Sequence, residues 1–332
     1  MAKVEAKYHH LVPKTYMSAW ANGSGTLKIE FKNQGGTIHL RNKNSIAGIN
    51  DFYSIKAGMP LCTASDATTI FAPLSGYTVT CDGVKLKAPL DLNRHYYDFN
   101  NWTITRSDGT PVSKKQIKSE INQIKIKDIE TNWSEKYENR WNQEVARIEK
   151  AVFSATRISI PEFDKDYLMK FYTALDWRGF STNKVFEDIY SSLTKDVLDE
   201  LNIPIEDRVL PSLETAAEEM RHYVLLHYYR EFLSDSGVIY TDAIESIART
   251  SFHFLISGGN CKFITCDSPA FTRTRPDKSL EGVLPITPQV LMVKGKCNNE
   301  HQYYVTHASK ELVSAYNSAI RENAFSFIIH PY

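Results

Sequence analysis

The chain has 332 residues, enough for a substantial core in one large or two medium domains. Thirty-nine basic residues balance thirty-nine acidic ones, so no global field steers it toward nucleic acid or an anionic membrane, and any nucleic-acid contact needs a local lysine patch. No run of about 18 uncharged apolar residues occurs and no basic-then-apolar leader opens the sequence, so the expectation is a cytoplasmic protein with no membrane partner.

The segment Tyr8-His9-His10-Leu11-Val12-Pro13-Lys14-Thr15-Tyr16-Met17 is dense in chemistry. Pro13 suits a first helical turn, where its missing N–H has no partner to lose, and Tyr16, Met17 and Trp20 follow at helical spacing. The two histidines therefore stand just before a short helix. Asn22-Gly23-Ser24-Gly25 turns the chain into Thr26 to Phe31, where apolar and polar residues alternate as in a half-buried strand. Gln34-Gly35-Gly36 returns it through Thr37 to Arg41 as a hairpin, and Asp51 to Ile55 reads as a third strand. Residues 56–112 mix short β-like pieces (Tyr77 to Cys81, Tyr96 to Phe99, Trp102 to Thr105) with Gly, Pro, Asn and Asp, the pattern of a β-rich insertion or cap.

From Ser113 the pattern changes. Ile117, Ile121, Ile124, Ile129, Trp133, Tyr137, Trp141, Val145, Ile148 and Val152 recur mostly four apart. They describe one amphipathic helix of about 40 residues and roughly 60 Å, or two helices broken near Asp128. Lys114, Lys115, Lys118, Lys125 and Lys127 lie on its exposed face; such a face is ordinarily a solvated surface, with phosphate contact the alternative. Helices from Pro161 through Trp177, from about Phe186 to Leu201, from Pro211 (capped by Ser212) to Phe232, and from Asp242 to Arg249 complete a helical region over 113–250.

The β pattern then returns. Phe252 to Ser257 and Lys262 to Cys266 are joined by Gly258-Gly259-Asn260, and Gly282 to Leu284, Gln289 to Lys294 and Tyr303 to Val305 follow. Ser309 caps a last helix to about Asn323, and Phe325 to Ile329 closes as an apolar strand. The order implies an α+β fold, with a mixed or antiparallel sheet formed from N- and C-terminal strands and a central group of long helices, in a single interdigitated domain over 1–332. The five cysteines are odd in number and contain no Cys-x-x-Cys pair, which argues for reduced, packed thiols.

Three groups carry candidate chemistry. His9 and His10 can supply a general base or a metal ligand; in extended chain only one of the pair faces a given side, and the alternative is that both pin the N-terminus by hydrogen bonds. Phe263-Ile264-Thr265-Cys266-Asp267-Ser268-Pro269 is a β-run breaking at an Asp-Ser-Pro turn, where Asp267 either orients a histidine or binds a metal, or simply locks the turn. Asp176-Trp177-Arg178 ends a helix, and Arg178 either clamps an anion or bonds its own helix carbonyls. Glu219-x-x-His222 is half of a di-iron motif without a second half, and the common nucleotide and hydrolase signatures are absent.

The opening His9-His10-x-Val12-Pro13-x-x-Tyr16-Met17, the Phe263 to Pro269 run and Leu284-Pro285-Ile286-Thr287-Pro288 together resemble the domain-of-unknown-function family four-two-three-eight over nearly the whole chain. The family's helix more often shows Gln and Arg-x-Pro where this chain has Asp176 and Arg178-Gly179, and its Thr-Ser-Asp stands here as Thr265-Cys266-Asp267. The resemblance carries no settled activity. It implies a bacterial protein with a role in conflict or phage defence, and that the separated segments meet in one site.

Two expectations follow. The first is a hydrolase or nuclease-like effector acting on a phosphate-containing substrate. Its catalytic residues are His10, Asp267, Arg178 and His9, with Ser268, Tyr16 and Lys14 as substrate contacts and a divalent metal as the cofactor to look for. The second is a non-catalytic ligand-binding or assembly module, a homo-oligomer in which the long helix and its Trp133, Tyr137 and Trp141 make the surface.

Overall fold

The computed structural model describes residues 7–154, 163–182, 186, 201–205, 208–275, 277–296 and 303–332. The fold is α+β. It divides into two compact units, one built from residues 1–50, 132–193 and 231–332, the other from 51–131 and 194–230.

In the first unit, β1 (Tyr8–His10) pairs antiparallel with β4 (Gly48–Asn50), His10 opposite Gly48. Gly48 is required there, because a Cβ would lie 2.5 Å from the His9 carbonyl oxygen and 2.7 Å from Tyr8 Cε1. The short helix α1 (Lys14–Met17) follows Pro13, whose carbonyl accepts from the Met17 N–H at 3.0 Å. The hairpin is present as β2 (Thr26–Phe31) and β3 (Ile38–Asn42).

The C-terminal part of this unit supplies β8 (Thr250–Ser257), β9 (Thr265–Cys266), β10 (Phe271–Thr274), β11 (Leu280–Thr287), β12 (Val290–Lys296), β13 (Tyr303–Ala308) and β14 (Phe327–His330). Five of these strands form one sheet in the order β10-β11-β12-β8-β13, antiparallel except for the β8–β13 pair. The second sheet is β3-β2-β14-β9, so strands from the two ends of the chain do pair: Ile329 lies opposite both Ile29 and Thr265. The helix Lys310–Asn323, capped by Ser309 as the sequence indicates, buries Val313, Tyr316 and Ile320 in a core with Phe263, Ile264, Cys266, Leu291 and Ile328.

The long helical stripe is interrupted. Helix Lys114–Gln123 ends where Ile55 and Ile126 exchange backbone hydrogen bonds at 2.9 Å, and the chain resumes as Asp128–Trp133, a π-helical turn Ser134–Glu138 and Asn139–Ser154. Trp133, Tyr137 and Trp141 are all buried. Trp141 stacks on Phe171 at 4.1 Å, and Phe232 takes both Trp133 and Tyr137, so the stripe is intramolecular core rather than an assembly surface. Helix Lys165–Arg178 packs against helix Gly237–Arg249, which begins earlier than the sequence pattern indicates. The expected helix Phe186 to Leu201 falls almost wholly outside the described residues.

The second unit holds a three-stranded sheet, with β5 (Thr78–Cys81) between β6 (Val84–Leu86) and β7 (Trp102–Thr105). Residues 56–112 also contain the helices Ala64–Ile70 and Pro89–Arg94. Tyr96 to Phe99 is not a strand. It is 3-10 helix over Tyr96–Asn101, where the three-residue period puts Tyr96 and Phe99 on the same side, against Trp102. Asp51 to Ile55 is a turn, with Asp51 at φ 57° and the Ser54 N–H on the Asp51 carbonyl. The helix expected from Pro211 starts instead at Ala216, because Thr215 and Glu218 form the reciprocal capping box, the Glu218 N–H on the Thr215 hydroxyl and the Thr215 N–H on the Glu218 carboxylate. Lys262 to Ile264 is bound through Phe263 to Pro288 and Trp20 and pairs in neither sheet; β8 and β9 therefore belong to different sheets rather than to one hairpin.

Candidate functional site

The separated segments of the opening and the C-terminal signature do meet in the first unit. Tyr16 is fully buried. Its hydroxyl lies 2.8 Å from Thr265 Oγ1 and donates to the Pro285 carbonyl at 2.7 Å, joining all three segments in one residue. Burial holds its phenol well above the ordinary range. Arg178, 1% exposed, donates to Glu138 Oε1 at 2.8 Å and to the His10 carbonyl, with its guanidinium 4.7 Å from the centre of the Trp133 ring. Ser268 Oγ accepts from the Ser181 N–H at 2.9 Å, while its carbonyl accepts from Asn323 Nδ2.

These contacts are mostly with the chain itself. Asp267 is 0% exposed, and its carboxylate accepts the backbone N–H groups of Phe325, Ser326 and Phe327 at 2.9, 2.6 and 3.2 Å. It holds the turn between the last helix and β14. Burial raises its carboxyl, and the three N–H groups pull the other way by favouring the anion. His9 and His10 are both buried, so neither ring faces open solvent. His10 Nε2 has no hydrogen-bond partner among the described residues. Burial pushes the ring down to about 4, with Lys14 and Arg178 adding repulsion and backbone hydrogen bonding at Lys43 and Asn44 opposing them. Lys14 itself is exposed.

A cleft of about 470 Å³ borders the same segments, lined among others by Thr15, Ser18, Glu149, Lys262 and Thr287. None of His9, His10, Arg178, Asp267 or Ser268 lines it. Among the described residues, no group of three or more His, Cys, Asp or Glu is placed to hold a metal ion. Cys62, Cys81, Cys261 and Cys266 are free thiols.

The second unit has a site that sequence reasoning found only in part. A cleft of about 210 Å³ is lined by Lys56, Lys118, Lys125 and Arg208 together with Tyr96, Tyr97, Phe99 and Asn122, and no acidic side chain is among its lining residues. Lys118 and Lys125 come from the lysine-rich stretch, whereas Lys56 and Arg208 arrive from elsewhere and had no signal in the pattern. Lys125 pairs with Asp51 at 2.5 Å, and Arg208 donates to the carbonyls of Ile203 and Pro211 and lies 3.5 Å from Glu214. Lys56 donates to the Val209 carbonyl, and burial, followed by repulsion from Lys125, lowers its ammonium from the ordinary value. Tyr96 donates to Asn122 at 2.6 Å. Tyr97, 57% exposed, lies 2.9 Å from the hydroxyl of Tyr223, which donates to the buried Glu219 at 2.7 Å.

The family model described as Protein of unknown function (DUF4238) matches residues 8–331. No curated protein and no solved structure matches the chain. Among the described residues, no helix is long and apolar enough to cross a membrane.

Replacing Asp267 with Ala strips three buried N–H groups of their acceptor and is expected to lower the unfolding free energy by about 3 kcal/mol or more. Urea denaturation measures it; a carboxylate held in reserve for chemistry would leave stability unchanged. His10 supplies a second expectation. Its folded value of about 4 lies below the unfolded value of 6.5, so as pH falls from 6.5 toward 4 the unfolded chain takes up a proton that the folded chain refuses. The contribution is fully present above pH 6.5 and declines through that window by on the order of 2–3 kcal/mol. His10→Gln should therefore lose less stability than the parent between pH 6.5 and 4, read from melting curves across that range.

Proposed function

The chain belongs to the DUF4238 family, and from this premise we propose that it binds a small phosphate-containing ligand in the cationic cleft of the second unit. The observation that carries the reading is the convergence of Lys56, Lys118, Lys125 and Arg208 on one small concavity without an acidic lining residue. Burial, and then repulsion from Lys125, depresses the Lys56 ammonium, with Asp51 and Glu219 opposing, and a dianion bound between the two lysines would offset that repulsion by attracting both. A phosphoryl group and a few further atoms fit the volume. The exposed ring of Tyr97 stands at the rim, where a sugar or base ring attached to the phosphate can pack on it.

In the first unit, the polar groups of Asp267 and Arg178 are engaged with backbone and with Glu138, which is why the binding reading is preferred to one that makes them catalytic. Lys118 is the residue to test, because it is not packed in the core. Lys118→Gln should weaken binding of inorganic phosphate or a nucleoside monophosphate about tenfold, and the parent's affinity should fall as salt rises. Isothermal titration that finds equal affinity in both proteins rejects the site.

One observation favours a second reading, in which the protein is a hydrolase or nuclease-like effector cleaving a phosphate ester at this cleft. Tyr97 ends a hydrogen-bonded chain, Glu219 to Tyr223 to Tyr97, that runs from a buried carboxylate to the rim. With each hydroxyl donating inward, such a chain can draw a proton from a water or hydroxyl attacking the phosphate at the rim toward the buried carboxylate. On this reading Tyr97→Phe abolishes phosphate release from a nucleotide or an oligonucleotide while titrated affinity stays within about twofold. Loss of binding together with turnover would place Tyr97 in recognition only.

A further inference from the structure

A further polar cluster in the first unit gathers around Lys294. Lys294 on β12 stands directly opposite Gly282 on β11, and Gly282 stands opposite Thr272 on β10. A Cβ at Gly282 would meet Lys294 Cγ and Cε at 2.4 Å and the Tyr172 hydroxyl at 2.8 Å. The missing side chain lets the lysine stem lie flat across the sheet. Its ammonium ends 4.1 Å from the centre of the Tyr172 ring, itself fixed by a 2.7 Å hydrogen bond to the Phe271 carbonyl. One turn further along the same helix is Asp176, with Thr182 donating to its Oδ1 at 3.2 Å. Lys294, Gly282 and Thr272 line one side of an open cleft of about 450 Å³, with Ser246, Arg249 and Thr250 also on its wall.

We propose that Lys294 is a reactive amine that condenses with a small aldehyde or ketone admitted by this cleft. The Nζ lone pair attacks the carbonyl carbon and a C–N bond forms. The two amine protons leave with the carbonyl oxygen as water, giving the C=N bond with no change of oxidation state. Three features fit such an amine: a stem held across Gly282, the Tyr172 ring fixing its end, and a cleft along the same lysine with a volume suited to a small organic molecule. Burial lowers the Lys294 ammonium, with Asp176 opposing it, and burial pushes Asp176 up to about 6, with Lys294 opposing. The cluster thus holds more neutral amine than a surface lysine does, beside a carboxyl able to exchange protons near neutral pH. Asp176 is a positioning residue here, since it acts through Lys294.

The test uses the intact chain, glyoxylate at limiting concentration and cyanoborohydride, with labelled lysines identified by peptide mass mapping. Lys294 should label about fivefold faster or more than the exposed Lys85 and Lys87, and its labelling should reach half-maximum at a lower pH than theirs. Gly282→Ala should slow Lys294 while leaving Lys85 unchanged. Equal labelling rates and coincident pH profiles for Lys294 and Lys85 in the parent protein overturn the proposal, whether or not the Gly282 variant folds. Failure of phosphate binding in the second unit would leave this result untouched.

Discussion

The first unit depends on a guanidinium sealed from water. Arg178 reaches the Glu138 carboxylate, the His10 carbonyl and the face of Trp133, so it ties a helix end, a π-helical turn and the opening strand at one point. A buried pair of this kind gives little net stability over an apolar filling, but removing one partner strands the other charge and costs about 3–5 kcal/mol. Its effect is therefore one of specification: only one arrangement of these three segments satisfies every donor. The wide π-helical turn at Ser134–Glu138 belongs to the same device, because it ends on the carboxylate that Arg178 requires.

Tyr16 and Asp267 extend that logic to the C-terminal strands. The Tyr16 hydroxyl unites the opening helix with Thr265 and Pro285, and Asp267 gathers three consecutive N–H groups at the turn into β14. Signature residues in this chain thus fall where remote segments must be joined through buried polar groups. That is a demand on geometry as strict as catalysis, and in a sequence the two demands look alike. The cationic cleft is the converse case, since its lysines and arginine come from positions that no single pattern unites.

Much of the architecture was legible because its signals were local. The Thr26–Phe31 hairpin shows strict alternation, and Ser309 caps the last helix through the Leu312 N–H as its position before an amphipathic stretch implies. Where the reading failed, a neighbouring segment decided. Tyr96 to Phe99 wound into 3-10 helix to place two rings against Trp102, whereas the helix break near Asp128, one of the two readings the stripe allowed, is made by Ile126 pairing with Ile55. The helix read from Pro211 with Ser212 as its cap starts instead behind the reciprocal Thr215–Glu218 hydrogen bonds. In the site, convergence was foreseeable from shared family segments; the use of Asp267 by backbone N–H groups was not, because its partners lie in residues 325–327.

The position of β14 bears on how the molecule is made. This strand is interior to its sheet, bonded to β2 on one side and to β9 on the other, although β2 is translated hundreds of residues earlier. Residues 26–42 therefore leave the ribosome as a hairpin with an open edge, and that edge stays unfilled until residues 327–330 have cleared the exit tunnel. Closure over so long a loop is slow, because its entropy must be surrendered before the sheet returns any stabilisation. Until then the backbone edge of β2 from Lys28 to Phe31, which β14 comes to pair, is a template for wrong partners.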